Sequence, residues 1–145
     1  MGRVGKLGIL PVAGRGSRWG GVYKELLPIG PERWLIDSAL DHLRGAGVDR
    51  VCIISSVEKI AVHAQHFAKD KYRDIELLFR IQRTPRDLWG AITESLVVAD
   101  DLNYLVLPDT VFLGSLPTRV AGALTLGLFA TITPERFGVV HGDRI

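Results

Sequence analysis

Cys52 is the only cysteine, so no disulfide framework can form within the chain. It lies in the apolar run Val51-Cys52-Ile53-Ile54, where a small buried thiol is expected rather than a nucleophile or metal ligand. No apolar stretch approaches the roughly 20 residues that span a bilayer. The opening segment Met1-Gly2-Arg3-Val4-Gly5-Lys6 lacks the apolar core of a secretory signal, and the expectation is a cytoplasmic protein with no membrane partner. Charge of one sign is also scarce. Eighteen Lys+Arg against sixteen Asp+Glu leave a net charge of +2 with no basic run, so nucleic acid is not an expected partner. Linkers, repeats and low-complexity stretches are missing too, which leaves residues 1–145 as one expected domain.

What is present is an ordinary globular balance, 47% hydrophobic and 23% charged over 145 residues. At this length about 68–70% of the unfolded surface can be buried, enough for a core built on packing alone. The cations are biased, thirteen Arg against five Lys. Arg suits planar, two-pronged recognition of phosphate and carboxylate.

Apolar runs and helical periodicities alternate along the chain. Leu7 to Val12 reads as a buried strand running into a Gly-rich turn. Leu35, Ile36, Ala39, Leu40 and Leu43 mark a helix stopped by Gly45 and Gly47, before a second strand at Val51 to Ile54. Ser56 is placed to cap a helix carrying Ile60, Ala64 and Phe67, and Ile75 to Phe79 reads as a third strand. Leu88, Ala91, Ile92, Ser95, Leu96 and Ala99 mark a further helix, and Tyr104 to Leu107 a fourth strand. Beyond Asp109 the pattern weakens to a helix at Leu116 to Leu124 and strands at Leu126 to Ile132 and Phe137 to His141. Parallel strands need a crossover that a helix supplies, so this alternation predicts an open α/β sheet. His63 and His66, spaced i, i+3 on the second helix, are expected on its surface; Trp19, Trp34 and Trp89 are expected in packing.

Ligands of open α/β sheets sit beyond the carboxyl ends of the strands. Three polar segments follow strand ends here: Pro11 to Gly21, Gln82 to Asp87, and Pro108-Asp109-Thr110. Seven of the sixteen glycines fall within the first twenty-one residues, and backbone N–H groups freed of a Cβ can approach phosphate oxygens closely. Two familiar phosphate motifs fail. A Walker A loop needs Gly-Lys-Ser/Thr, but Gly21 precedes Val22 and Lys24 precedes Glu25. The dinucleotide fingerprint matches at Gly14 and Gly16 but meets Trp19 at its third glycine, which disfavours a nicotinamide-cofactor domain.

The span Val12-Ala13-Gly14-Arg15-Gly16-Ser17-Arg18 with Lys24-Glu25-Leu26-Leu27-Pro28-Ile29 resembles the signature of the sugar-phosphate nucleotidyltransferases, glucose-1-phosphate thymidylyltransferase-like proteins among them. Pro11-Val12-Ala13-Gly14 is also similar to the cytidylyltransferases of small alcohol phosphates. The likeness continues through Gln82, Pro85, Leu88 to Ile92, Leu105 to Asp109 and Glu135 to Val140. It implies an open, mostly parallel Rossmann-like sheet flanked by helices, as in the nucleotide-diphospho-sugar transferases. It further implies Mg²⁺-dependent transfer of a nucleoside monophosphate from a nucleoside triphosphate to a sugar 1-phosphate, with release of pyrophosphate. Under it, Val12, Ala13 and Gly14 would lie near the base, with Arg15 either a nucleotide contact or a solvated loop charge. Gly16, Ser17 and Arg18 would hold the β- and γ-phosphates. Arg18 and Lys24 would be catalytic, Lys24 neutralising charge on the α-phosphate and the incoming phosphate. Gln82 would read a base edge or else cap the next helix, Asp109 would ligate Mg²⁺ or form a turn, and Gly138 would offer its backbone to the sugar or serve a turn.

The chain departs from the family pattern at Tyr23 before the lysine, Asp87 in place of a glycine close to the base, Pro108 before the metal-site aspartate and Thr110 after it. A carboxylate at Asp87 would cap the next helix or repel a phosphate. Members usually continue for a hundred or more residues, so the chain resembles the N-terminal, nucleotide-binding half. Two functions are therefore carried forward: a nucleotidyltransferase, and a nucleotide-binding or assembly module whose site is completed elsewhere, homo-oligomerisation being one route.

Overall fold

The computed structural model describes residues 4–16, 20–84, 87–111, 114 and 116. Among these, β1 (Lys6–Pro11), β4 (Arg50–Ser55), β5 (Glu76–Ile81) and β6 (Leu102–Leu105) form one sheet, and β2 (Pro28–Gly30) pairs with β3 (Arg33–Trp34) in a separate hairpin. The sheet order is β5-β4-β1-β6, every pairing parallel. The chain winds outward from β1 to β5 and then returns to the other side of β1 as β6. That reversal creates a switch point beyond the carboxyl ends of β1 and β6, where crevices form in sheets of this kind.

Alternation along β1 sends its side chains to two cores. Leu10 and Val12 pack with Ile36, Ala39, Leu40 and Leu43 of α1 (Leu35–Gly45) and with Phe67 of α2 (Ile60–Phe67). Leu7 and Ile9 pack on the opposite face with Cys52, Ile54 and Ala91 of α3 (Leu88–Ser95). Both faces of β4 are thus covered, which explains an uninterrupted buried run from Val51 to Ser55. Cys52 is fully buried and burial pushes its thiol up to about 11.

Several expectations are corrected. β6 begins two residues before Tyr104, because its register pairs Lys6 with Leu102. The helix expected to run to Ala99 ends at Ser95, as α3, and tightens into a 3₁₀ turn over Leu96–Val98. Ser56 does not cap α2 with its side chain. Its carbonyl accepts from Lys59 N and Ile60 N, and its hydroxyl bonds Glu58 instead. His63 and His66 are buried, not on the surface, because α2 turns the stripe Lys59, His63, His66 and Phe67 inward and leaves Ala64 exposed. His66 Nε2 lies 2.8 Å from Tyr72 Oη, and burial with the nearby Lys69 charge lowers its pKa to about 4. Trp34 packs on the first core under Lys69 and Lys71, but Trp89 is 73% exposed and contributes no packing of the expected kind. The elements expected at Leu116 to Leu124, Leu126 to Ile132 and Phe137 to His141, and Trp19, lie outside the described residues, Leu116 itself excepted, which packs against the first core.

Candidate functional site

The carboxyl end of the sheet holds a cleft of ≈ 460 Å³, within the range of small-ligand pockets. The loop after β1 forms one wall, with Val12 and Ala13 buried and Gly14 and Arg15 exposed. Gly16 adopts φ +62°, and a Cβ there would meet the Val22 carbonyl oxygen at 2.6 Å. Only glycine allows that turn, and Gly21 N–H closes it onto Gly16 O at 3.2 Å.

A 3₁₀ turn over Lys24–Leu26 forms the second wall. Lys24 Nζ lies 3.4 Å from Asp109 Oδ2, which stands beyond β6 on the far lip with Leu107 and Pro108. Both side chains are partly exposed, 32% and 42%, so each is open to a ligand.

Gln82, Asp87, Leu88 and Ala91 form the third wall. Asp87 caps α3: its Oδ1 accepts from Gly90 N–H at 2.8 Å, its extended backbone being normal for an N-cap. Gln82 is buried and its Nε2 donates to the Asp87 carbonyl at 3.1 Å. Gln82 therefore both supports the start of α3 and lines the cleft. A Cβ on Gly90 would stand 2.4 Å from Gln82 Nε2, so this glycine makes room for the amide.

Beneath the first two walls lies a buried polar group that sequence reasoning missed. Glu25 Oε1 accepts from Lys59 Nζ at 3.1 Å and sits 2.8 Å from His63 Nε2. Lys59 Nζ also donates to Val12 O at 3.1 Å, and His63 Nδ1 sits 2.7 Å from Ser55 Oγ. Burial alone would raise the Glu25 pKa. The hydrogen bonds from His63, its own backbone N–H and Lys59, with the Lys59 charge, outweigh that and hold the carboxyl below its ordinary range. Removing one partner of a buried pair costs about 3–5 kcal/mol, because the other charge is stranded. A sequence signal existed: His63 lies on the same stripe as Ile60 and Phe67, so an inward histidine in need of a partner was readable.

Val12, Ala13, Gly14, Arg15, Gly16, Lys24, Gln82 and Asp109 thus share one cleft. Ser17, Arg18 and Gly138 lie outside the described residues. Among the described residues no cluster of three or more His, Cys, Asp or Glu could hold a metal, and no helix is long and apolar enough to cross a membrane.

An open parallel sheet with a Gly-rich loop, a cation and a carboxylate gathered at its switch point defines the class, an α/β protein with a polar rim at the carboxyl ends of its strands. The chain belongs to the nucleotidyl transferase family, whose model matches residues 8–144. Among solved structures it is similar to a putative glucose-1-phosphate thymidylyltransferase from Bacillus anthracis in complex with a sucrose, at 21% identity and TM-score 0.66, over 76% of this chain and 46% of that one. It is also similar to a UDP-glucose pyrophosphorylase complexed with UDP-glucose, at 21% identity and TM-score 0.59, over 74% and 46% of the two chains. A UDP-glucose pyrophosphorylase from Acinetobacter baumanii gives 21% identity and TM-score 0.58, over 72% and 46%. The chain spans about half the length of these structures, and they share its mostly parallel, helix-flanked sheet. No curated protein matches it in sequence.

Proposed function

We propose that the cleft binds a nucleoside triphosphate with Mg²⁺ and serves transfer of its nucleoside monophosphate to a sugar 1-phosphate. A phosphate oxygen of the acceptor bonds the α-phosphorus, the bond from that phosphorus to the bridging oxygen breaks, and pyrophosphate leaves. Such a reaction needs positioning and charge stabilisation, not a protein nucleophile.

The observation that carries this reading is the convergence of the Gly-rich loop, Lys24, Gln82 and Asp109 on one cleft at the switch point. Val12, Ala13 and Gly14 receive the base beside Gln82, whose amide offers a donor and an acceptor. Arg15, Gly16, Ser17 and Arg18 attend the phosphates, Lys24 offsets charge at the α-phosphate, and Gly138 meets the sugar. The donor set suits a hard cation that keeps waters and shares phosphate oxygens, since Mg²⁺ commonly takes one or two carboxylates from protein and Asp109 offers one. When bound, Mg²⁺ would neutralise phosphate charge as the leaving group departs.

A second reading is a nucleotide-binding or assembly module that keeps the same cleft without carrying out the transfer. One assay separates the two. Protein is incubated with each nucleoside triphosphate, Mg²⁺ and a panel of sugar 1-phosphates and small alcohol phosphates; pyrophosphate release supports transfer, and retained binding without release supports the module. Calorimetry that detects no binding of any triphosphate removes the transfer and the nucleotide-binding module, and leaves only assembly.

A further inference from the structure

The buried group under the cleft touches three of its walls. Lys59 Nζ holds the carbonyl of Val12, at the end of β1. The same ammonium holds Glu25, the residue next to Lys24, within the 3₁₀ turn. Glu25 meets His63, and His63 meets the hydroxyl of Ser55, whose carbonyl accepts from Gln82 N–H at 2.8 Å. A continuous path of hydrogen bonds and one shared residue thus runs from Val12 through Lys24's neighbour to Gln82. All four side-chain members are nearly inaccessible: Ser55 and His63 at 0%, Glu25 and Lys59 at 5%. One neutral imidazole tautomer satisfies the path, Nε2–H donating to the carboxylate and Nδ1 accepting from the serine hydroxyl. Successive residues of a 3₁₀ turn project about 120° apart and so take different faces. Anchoring Glu25 inward therefore presents Lys24 outward, toward Asp109.

We infer that Ser55, Lys59, His63 and Glu25 form one positioning network that fixes the spacing between the Val12 loop, the Lys24 turn and Gln82, so that these walls are ordered together and not one by one. The inference rests on the nucleotide reading for its purpose, but its physical content, joint ordering of the walls, holds for the free protein. Desolvated networks of this kind rigidify when every member is satisfied and loosen as a unit when one is lost.

The test is backbone amide hydrogen exchange on the free protein, comparing wild type, Lys59→Met, Glu25→Gln and the Glu25→Gln/Lys59→Met pair. The reporters are the bonded amides of Val12, Leu26 and Gln82, one in each wall. Loss of the network raises exchange at all three by about tenfold or more while the helical amides of Leu40 and Leu43 in α1 stay protected. Lys59→Met strands the Glu25 charge and is the variant at risk of unfolding. The double variant removes both charges and decides the matter if the single one fails to fold: joint loosening with α1 intact supports the network. Exchange rising only beside the altered residue, or equally throughout the chain, overturns it.

Affinity supplies the readout that a purely structural role would not move. In folded variants, affinity for Mg²⁺–triphosphate falls by about tenfold while that for the nucleoside without phosphates changes less, because the Lys24 turn meets only the phosphate end. Equal loss for both ligands counts against positioning of Lys24. A wild type that binds no nucleotide overturns the proposed function, and the exchange result then decides the network by itself.

Discussion

Lys24 and Asp109, 85 residues apart in sequence, face one another across the cleft at 3.4 Å. The two charges stand where an anionic ligand and its counter-cation would each find a partner. An exposed pair of this kind contributes only about 0–1 kcal/mol to folding. Lys24→Ala and Asp109→Ala should therefore melt close to wild type while differing in binding. Lys24→Ala should weaken triphosphate affinity by about tenfold with or without Mg²⁺, and Asp109→Ala should chiefly remove the Mg²⁺ dependence. Titration calorimetry with and without the metal, beside thermal melts, checks both; Arg18→Ala is expected to follow Lys24→Ala.

Gly16→Ala tests the loop. At φ +62° an L side chain costs about 1–2 kcal/mol, and the new Cβ would also press on the Val22 carbonyl at 2.6 Å. The expected result is a lower melting temperature together with weaker triphosphate binding. Gly14→Ala, with nothing within 4 Å of its Cβ, should melt like wild type.

Gly90→Ala tests the third wall. Its Cβ would stand 2.4 Å from Gln82 Nε2 and force the amide from its bond to Asp87 O. Because a side-chain amide can move, the stability change should stay near about 1 kcal/mol, the value of a typical hydrogen bond. Discrimination among the four triphosphates should drop, as competition binding would report.

Acid should weaken the fold in two stages. His66 has a pKa lowered to about 4 against 6.5 when unfolded, so between these values the unfolded chain binds the extra proton and stability falls as pH falls. Glu25 and Asp37 have folded pKa values below 4.5 and 3.8. Burial opposes ionisation in both; for Asp37, hydrogen bonds from Lys71, Trp34 N–H and Tyr72 outweigh it. Their contribution is present above the unfolded values and is lost as pH drops through the folded ones. Urea midpoints should decline from about pH 6.5 and more steeply below about 4.5, and His66→Gln should flatten only the upper limb.

Cys52 is fully buried and its thiol is pushed up to about 11 by burial. The thiolate is the reactive form. Iodoacetamide at pH 8 should leave the folded protein unmodified over hours and label it promptly in denaturant, as mass spectrometry would show.

The sequence by itself determined the alternation of elements and the polar rim at the strand ends. Period-two and helical spacings are local, and the Gly-rich loop, Lys24, Gln82 and Asp109 are each announced by short motifs at strand ends. It did not reveal the hairpin Pro28–Gly30 with Arg33–Trp34, whose strands are too short to carry a period. Nor did it distinguish a helix-capping Gln82 from one that lines the cleft: Asp87 caps α3, and Gln82 lines the cleft while donating to the Asp87 carbonyl. His63 shares a stripe with Ile60 and Phe67, but only the tertiary structure decided that His66 also turns inward, that Trp89 stands in solvent, and that Glu25, Lys59 and Ser55 meet beneath the site. A polar residue's burial depends on whether distant chain segments bring it a hydrogen-bonding partner, and no local pattern encodes that meeting.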